Sequence, residues 1–338
     1  RDRLRSRGLG DVYKRQVRAY GKDYKTASDG DLGVTYKDYT EVDLPSRHTV
    51  KYVYSRLVED LENAKKLMSD NYNKSVNSRL NKKSISAILS RVYLTMGEDA
   101  KAVSAATDAI AGDGSDIASI SDFSKIFTTS MEVPEVLFRI AITADNGYLP
   151  GNDWGQGSES SYIANYSVTY SLNELYKSTD IRRSQIKLVN GGAYNVVWKY
   201  NNGGKSTGLI DIPIIRASEV YLTRAEANYN LKNYDDALSD LNLVKERRYS
   251  DYEEGTESGA ALEKEIQLQR RLELAFEGHR RFDIFRNGLT MNRTYPGTHD
   301  RGAATSVRLT ISADDPAAIE FIPQREIDSY PGVLEQNP

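Results

Sequence analysis

A helix-pair pattern that occurs twice, far apart in the chain, restricts the fold more than any other feature. In KKSISAILSRVYLTMGEDAKAVSAATDAI, residues Ala87, Ser90, Tyr93, Gly97, Ala102, Ala106 and Ala109 follow the small-and-aromatic spacing of a tetratricopeptide unit. In such a unit small residues let two antiparallel helices approach closely, and a glycine near the turn closes the first helix. The pattern returns in SEVYLTRAEANYNLKNYDDALSDLNLVKERR at Tyr221, Ala225, Tyr234, Ala237, Leu241 and Val244, with LKNY as the turn. The copies are not adjacent in sequence, so the chain is no continuous solenoid, and the pairs must meet in space across an insertion. The expected fold class is mainly α, with tetratricopeptide-like helix pairs as scaffold and a loop-rich insertion carrying short strands.

A further helix is predicted from Thr49, where Val53, Leu57, Leu61 and Ala64 recur at helical spacing and Glu62 lies one turn before Lys66. The polar stretch SDNYNKSVNSRLN separates it from the first pair. The opening sixteen residues, RDRLRSRGLGDVYKRQ, are basic, lack an apolar core and do not read as a secretory signal. We expect residues 1–16 to be non-native and residues 17–338 to form one domain that is incomplete at its N-terminus.

The insertion, about residues 111–212, has a different texture. GDGSD opens it and reads as a helix-ending turn; it lacks the length and closing glutamate of a calcium loop, and no metal site is expected. VPEVLFRIAI suggests a strand, and WKYNNGGKSTGL a strand followed by a glycine turn. Between them, TADNGYLPGNDWGQGSESSY is the most loop-like segment of the chain. Loops of this length in compact proteins tend to be functional or disordered, and an exposed tryptophan in one favours function. Trp154 is the first candidate for a ligand-stacking platform, with Tyr148 and Tyr162 flanking it and Asn152, Asp153 and Gln156 as hydroxyl partners; pinning of the loop by Trp154 is the competing reading. Trp198, in VVWKYNN, is expected to pack on the scaffold. Asp145, Asp153 and Glu159 leave room for a glycosidase's carboxylate pair.

Several classes are disfavoured. A formal net charge of −3 argues against a nucleic-acid-binding face. The absence of cysteine removes thiolate zinc sites, thiol nucleophiles and disulfides. No apolar run approaches the length of a membrane-spanning helix, and nothing calls for a cofactor.

RRLELAFEGHRRFDIFRNG, residues 270–288, is crowded with charge around one of only three histidines. Read as one helix, Leu268, Leu272, Ala275, Phe276, His279, Phe282 and Phe285 share a face, and Glu277 and Arg281 pair at four-residue spacing. Gly278 would then admit a neighbouring backbone, and Asn287-Gly288 would end the helix. A catalytic His279 oriented by Asp283 lacks a nucleophile or metal partner, since neither HExxH nor GxSxG occurs. The stretch therefore reads as architecture.

That stretch resembles the signature of the SusD/RagB family. IEFIPQREIDSYPGVLEQNP resembles the family's closing segment, and IPIIRASEVYLTRAEA its R-x-x-E-x-x-L-x-x-A-E-A helix. VEDLENAKKLM, the alanine-rich pair and SDFSKIF…EVLFRI fit in the same order, so the resemblance covers most of residues 41–338. It implies a surface lipoprotein of the outer membrane in Bacteroidetes-type bacteria. Such a protein binds oligosaccharide for nutrient import, without catalysis, as a lid on a TonB-dependent transporter of the SusC type. Peptide binding within the same family is the alternative, and an intracellular helical-repeat scaffold a weaker one. The family's lipidated N-terminal cysteine is not in this sequence, so the anchor is expected to precede it.

Overall fold

The computed structural model describes residues 12–39, 44–68, 77–112, 115–129, 135–201, 208–293 and 310–337. Residues 12–20 form helix α1, in which Lys14 and Val17 are buried. The expected boundary after residue 16 thus falls inside a helix. Thr49 accepts from the Tyr52 amide and caps α2 (Val50–Leu67), which buries Val53, Leu57, Leu61 and Ala64 as its spacing requires. Glu62 takes its hydrogen bond from the Tyr93 hydroxyl at 2.9 Å, not from Lys66. Most of the polar stretch that follows lies outside the described residues. Its last residue, Asn81, exchanges hydrogen bonds with Ser84 in a capping box that starts α3 (Lys82–Met96).

Gly97 ends α3 in the left-handed conformation, φ 78°, and α4 (Asp99–Ile110) returns antiparallel on alanines 102, 105, 106 and 109. The Ser115 hydroxyl donates to the Ile110 carbonyl at 2.8 Å and closes α4; Asp113 of the GDGSD turn lies outside the described residues. The second pair is α5 (Ala217–Asn230) and α6 (Tyr234–Glu246), which buries Ala225, Ala237, Leu241 and Val244. Tyr234, which falls at the spacing of the pattern, is exposed and leans on Tyr229 with ring centroids 5.4 Å apart. As the sequence requires, the two pairs meet: α4 packs on α5. Asn230 donates to Asp99 at 3.0 Å, and Arg224 to Thr107 at 3.1 Å.

The insertion supplies antiparallel two-stranded pieces. β1 (Val136–Ile140) pairs with β6 (Ile212–Arg216), β2 (Gly155–Ser158) with β3 (Ser161–Ala164), and β4 (Ile186–Val189) with β5 (Tyr194–Val197). The strand expected in WKYNNGGKSTGL lies just upstream of it, in β5, and residues 202–207 fall outside the described set.

Residues 270–288 are not one helix. α7 (Gly259–Glu273) stops, a turn follows in which Phe276 and Gly278 have φ of 67° and 77°, and α8 (Arg280–Arg286) begins. Glu277 and Arg281 therefore do not pair; Glu277 binds Arg216 and Lys199, and Arg281 binds Glu320. Among the described residues no atom lies within 4 Å of where a Cβ on Gly278 would stand, so its role is the backbone conformation and not close approach. Gly288 does end α8, at φ 64°.

Buried charge fills the space between these elements. The Glu273 carboxylate accepts from Arg216 at 2.8 Å, from Arg248 at 2.9 and 3.0 Å, and from Arg182 at 3.4 Å. Glu135 binds Arg216 and Arg248, Asp180 binds Arg182, and Glu277 binds Arg216 and Lys199. A second set joins Arg91 to Glu219, Arg270 to Asp283, and Arg286 to Asp283 and Glu226. His279 sits beside it, Nδ1 3.9 Å from Glu219 Oε1. Burial, helped by Arg91 and Arg270, holds His279 well below its usual pKa, so it is a neutral side chain among cations. Near the C-terminus Asn337 accepts from Arg47 at 2.7 Å and donates to the carbonyls of Tyr20 (3.0 Å) and Glu320 (2.7 Å), tying the tail to α1.

Candidate functional site

Pro150 starts a single 3-10 turn, Pro150–Asp153, that carries the chain to Trp154. Gly151 makes this possible: a Cβ there would stand 2.5 Å from the Tyr200 carbonyl oxygen. Its amide donates to the Gly208 carbonyl at 2.9 Å, so the turn lies flat against the segment after β5. The Asn165 side chain then donates to the carbonyls of Asn152 and Asp153, both at 3.1 Å, and holds the turn from the other side.

Trp154 is half-buried. Its ring stacks on Tyr200 at 5.0 Å and 28°, and the edges of Phe276 (6.1 Å, 71°) and Tyr166 (5.6 Å, 60°) meet it. The competing readings of Trp154 are therefore both visible in its geometry: the indole pins the loop to the core cluster and keeps part of its surface open. Tyr148 is exposed, and its hydroxyl donates a short hydrogen bond to the Asp153 carboxylate, which fixes the ring beside the turn. The Asp153 carboxylate pushes the Tyr148 hydroxyl above its usual pKa, so the phenol stays protonated. Asn152 is half-buried, with its side chain against Gly208, and Gln156 is exposed on β2 opposite Ile163.

Tyr162 is a correction. It is 4% exposed and packs on Trp198 with centroids 5.4 Å apart, so it offers no face to a ligand and instead supports the β2–β3 hairpin. Two glycines explain the burial. A Cβ at Gly155 would stand 2.5 Å from the Tyr162 ring, and one at Gly157 2.2 Å from the Ser161 carbonyl oxygen. The ring occupies the space that a side chain at Gly155 would need, and Gly157 admits the partner strand's backbone. Trp198, expected on the scaffold, belongs to this same small cluster.

Tyr166 is absent from the sequence-derived candidates, yet it is 60% exposed and makes a T-shaped contact with Trp154. Its signal lies in Asn165, the residue before it, whose side chain closes the 150–153 turn. The structure thus brings together Tyr148, Asn152, Asp153, Trp154 and Tyr166 and withdraws Tyr162. Of the carboxylates considered for glycosidase chemistry, Asp153 is taken by Tyr148, and Glu159 pairs with Lys187 at 3.0 Å.

A more enclosed cavity, about 290 Å³, lies elsewhere, between Arg18, Asp23, Tyr54 and Phe282, and shares no residue with this face.

Residues 142–338, more than half of the chain, match the family described as the SusD family, and residues 11–94 match one described as starch-binding, associating with outer membrane. Among solved structures, a SusD superfamily protein from Bacteroides thetaiotaomicron is 26% identical over all of this chain and 78% of its own, with a TM-score of 0.85. A putative sugar binding protein from Bacteroides vulgatus is also 26% identical, over all of this chain and 77% of its own, at 0.84. The fold is shared too with surface glycan-binding protein A of Bacteroides thetaiotaomicron, solved in complex with laminarihexaose, at 19% identity, 100% and 79% coverage and a TM-score of 0.72. No curated protein matches the chain.

Proposed function

The chain belongs to the SusD family, and from that premise we propose that it binds oligosaccharide at the cell surface without transforming it, for delivery to a TonB-dependent transporter of the SusC type. The observation that carries this reading is the Tyr148–Trp154–Tyr166 face: three aromatic rings with open surface, set among the carboxylate of Asp153 and the amides of Asn152 and Asn165. Sugar rings present C–H-rich faces that stack on such rings, while their hydroxyls exchange hydrogen bonds with amides and carboxylates. A shallow face with few anchors binds a single sugar weakly and gains when a polymer meets several subsites. The sugar-binding description of the Bacteroides vulgatus relative and the starch-binding, outer-membrane description of the second family match support the ligand class and the location. A lipid anchor preceding this sequence would hold the protein there.

Calorimetric titration with laminarihexaose, other neutral hexasaccharides and a peptide panel tests it. Saturable heat with a sugar, lost in Trp154→Ala and weakened in Tyr166→Ala, is the expected result. Heat with peptides alone moves the protein to peptide binding, and release of shorter sugars from a bound oligosaccharide overturns the non-catalytic reading. Co-purification of a barrel transporter with the native protein from detergent extracts tests the delivery step.

A further inference from the structure

The turn between α7 and α8 holds more backbone strain than ending a helix requires. A glycine adopts positive φ at little cost, and Gly278 does so; Phe276, a bulky aromatic, does so as well at 67°. Such a conformation persists only where its surroundings over-determine it. Here three consecutive residues of the turn engage two consecutive residues after β5. The Ala275 carbonyl accepts from Lys199 Nζ at 2.8 Å, the Phe276 carbonyl accepts from the Tyr200 hydroxyl at 2.9 Å, and Glu277 accepts from Lys199 Nζ at 2.6 Å. Arg216 donates to Glu277 at 2.7 Å and holds that carboxylate in place.

The consequence lies on the other side of Tyr200. Its ring, held by its hydroxyl and by the edge of Phe127 at 6.0 Å and 89°, is the surface on which Trp154 stacks. The Phe276 ring reaches Trp154 directly, edge to face. Left-handed backbone at Phe276 thus serves two contacts at once: the carbonyl turns to Tyr200 and the ring to Trp154.

We infer that the turn Leu274–His279 is a positioning element for the ligand-stacking face, with Phe276 and Tyr200 setting the angle at which Trp154 presents its indole. This rests on the oligosaccharide-binding reading for its consequence, but not for its geometry. It gives the family's most recognisable segment a role at a loop more than a hundred residues upstream, through the contact of Phe276 with Trp154.

The test uses a Trp198→Phe background, in which Trp154 is the only tryptophan of the two in the chain. Phe276→Gly keeps the left-handed backbone easy and removes the ring; Tyr200→Phe keeps the stack and removes the hydrogen bond to the turn. Phe276→Gly is expected to shift Trp154 emission to longer wavelength and to raise the Kd for laminarihexaose about tenfold, Tyr200→Phe about fivefold. Thermal destabilisation with emission and Kd both unmoved would mean simple core packing and would overturn the inference. Should Phe276→Gly fail to fold, Tyr200→Phe decides by the same two readouts. Should the parent protein bind no oligosaccharide, the proposed function falls separately, and the emission comparison alone still supports or overturns the positioning role.

Discussion

Glu273→Gln keeps the shape of the most heavily used carboxylate in the protein and removes its charge. Around it the structure balances four cations, Arg182, Arg216, Arg248 and Lys199, against four carboxylates, Glu135, Asp180, Glu273 and Glu277. The substitution leaves one buried positive charge uncompensated and turns an amide donor toward guanidinium groups that can only donate. Breaking a buried ion pair by removing one partner costs about 3–5 kcal/mol, a large share of a typical stability of about 5–15 kcal/mol. For 338 residues the entropy of unfolding is about 0.7 kcal/mol per kelvin, so the midpoint should fall by about 4–7 °C. Differential scanning calorimetry at pH 7 is the assay. The pH dependence adds a second check. Arg248 and Arg216 hold the Glu273 carboxyl well below its ordinary value near 4.5 despite the opposing effect of burial. The stabilisation is therefore complete above about pH 4.5 and is lost as pH falls below it, so the two proteins' midpoints should converge in acid. A midpoint within 1 °C of the parent at pH 7 would refute the view that charge balance, and not packing alone, holds this core.

Other consequences follow from single sites. Asn337→Ala removes acceptor and donors shared by Arg47, Tyr20 and Glu320, and should cost about 1–3 kcal/mol in denaturant titration, with faster amide exchange near Tyr20. His279 is buried in its neutral form, so the unfolded chain binds the extra proton; stability should decline as pH falls below about 6.5, and His279→Gln should flatten that slope between pH 6.5 and 5. No lysine or arginine occurs between Arg139 and Lys177, whereas Asp145, Asp153, Glu159 and Glu174 do. A sulfated or uronate oligosaccharide should therefore bind more weakly than a neutral one of equal length, with the gap widening at low salt; equal affinity at low salt would contradict this.

Sequence periodicity located the helical scaffold well, because small residues at fixed spacing admit few alternatives to close helix pairing. Ala102, Ala106, Ala109, Ala225 and Ala237 are all fully buried, and Gly97 ends its helix as expected. The same periodicity failed at residues 274–279. Apolar residues there recur at helical spacing, yet Phe276 turns out of the helix, because Glu277 gains more from buried Arg216 and Lys199 than from an exposed pairing with Arg281. Nothing local reveals those partners, which lie 61 and 78 residues away in sequence. The burial of Tyr162 and the exposure of Tyr166 are illegible in the sequence for a related reason. Tyr162 closes the loop-like stretch and Tyr166 follows it, and only the hairpin register, with Gly155 making room for the Tyr162 ring, decides which of the two is buried.

Burial also explains why the segment that identifies the family says so little about the ligand. Arg270, Glu273, Asp283 and Arg286 are all enclosed, and each answers to another enclosed charge, so changing one alone strands its partner. Such a set is recognisable in sequence because its members constrain one another, not because they touch anything outside. The aromatic face is built differently. Asn165 holds its turn through backbone carbonyls that any residue would supply at positions 152 and 153, and Tyr148 and Tyr166 stand largely in the open. Side chains there can change without stranding a buried charge, which leaves ligand preference free to vary over a fixed core. Trp154 belongs to both regimes, half-buried in its loop and seated through Tyr200 on the strained turn.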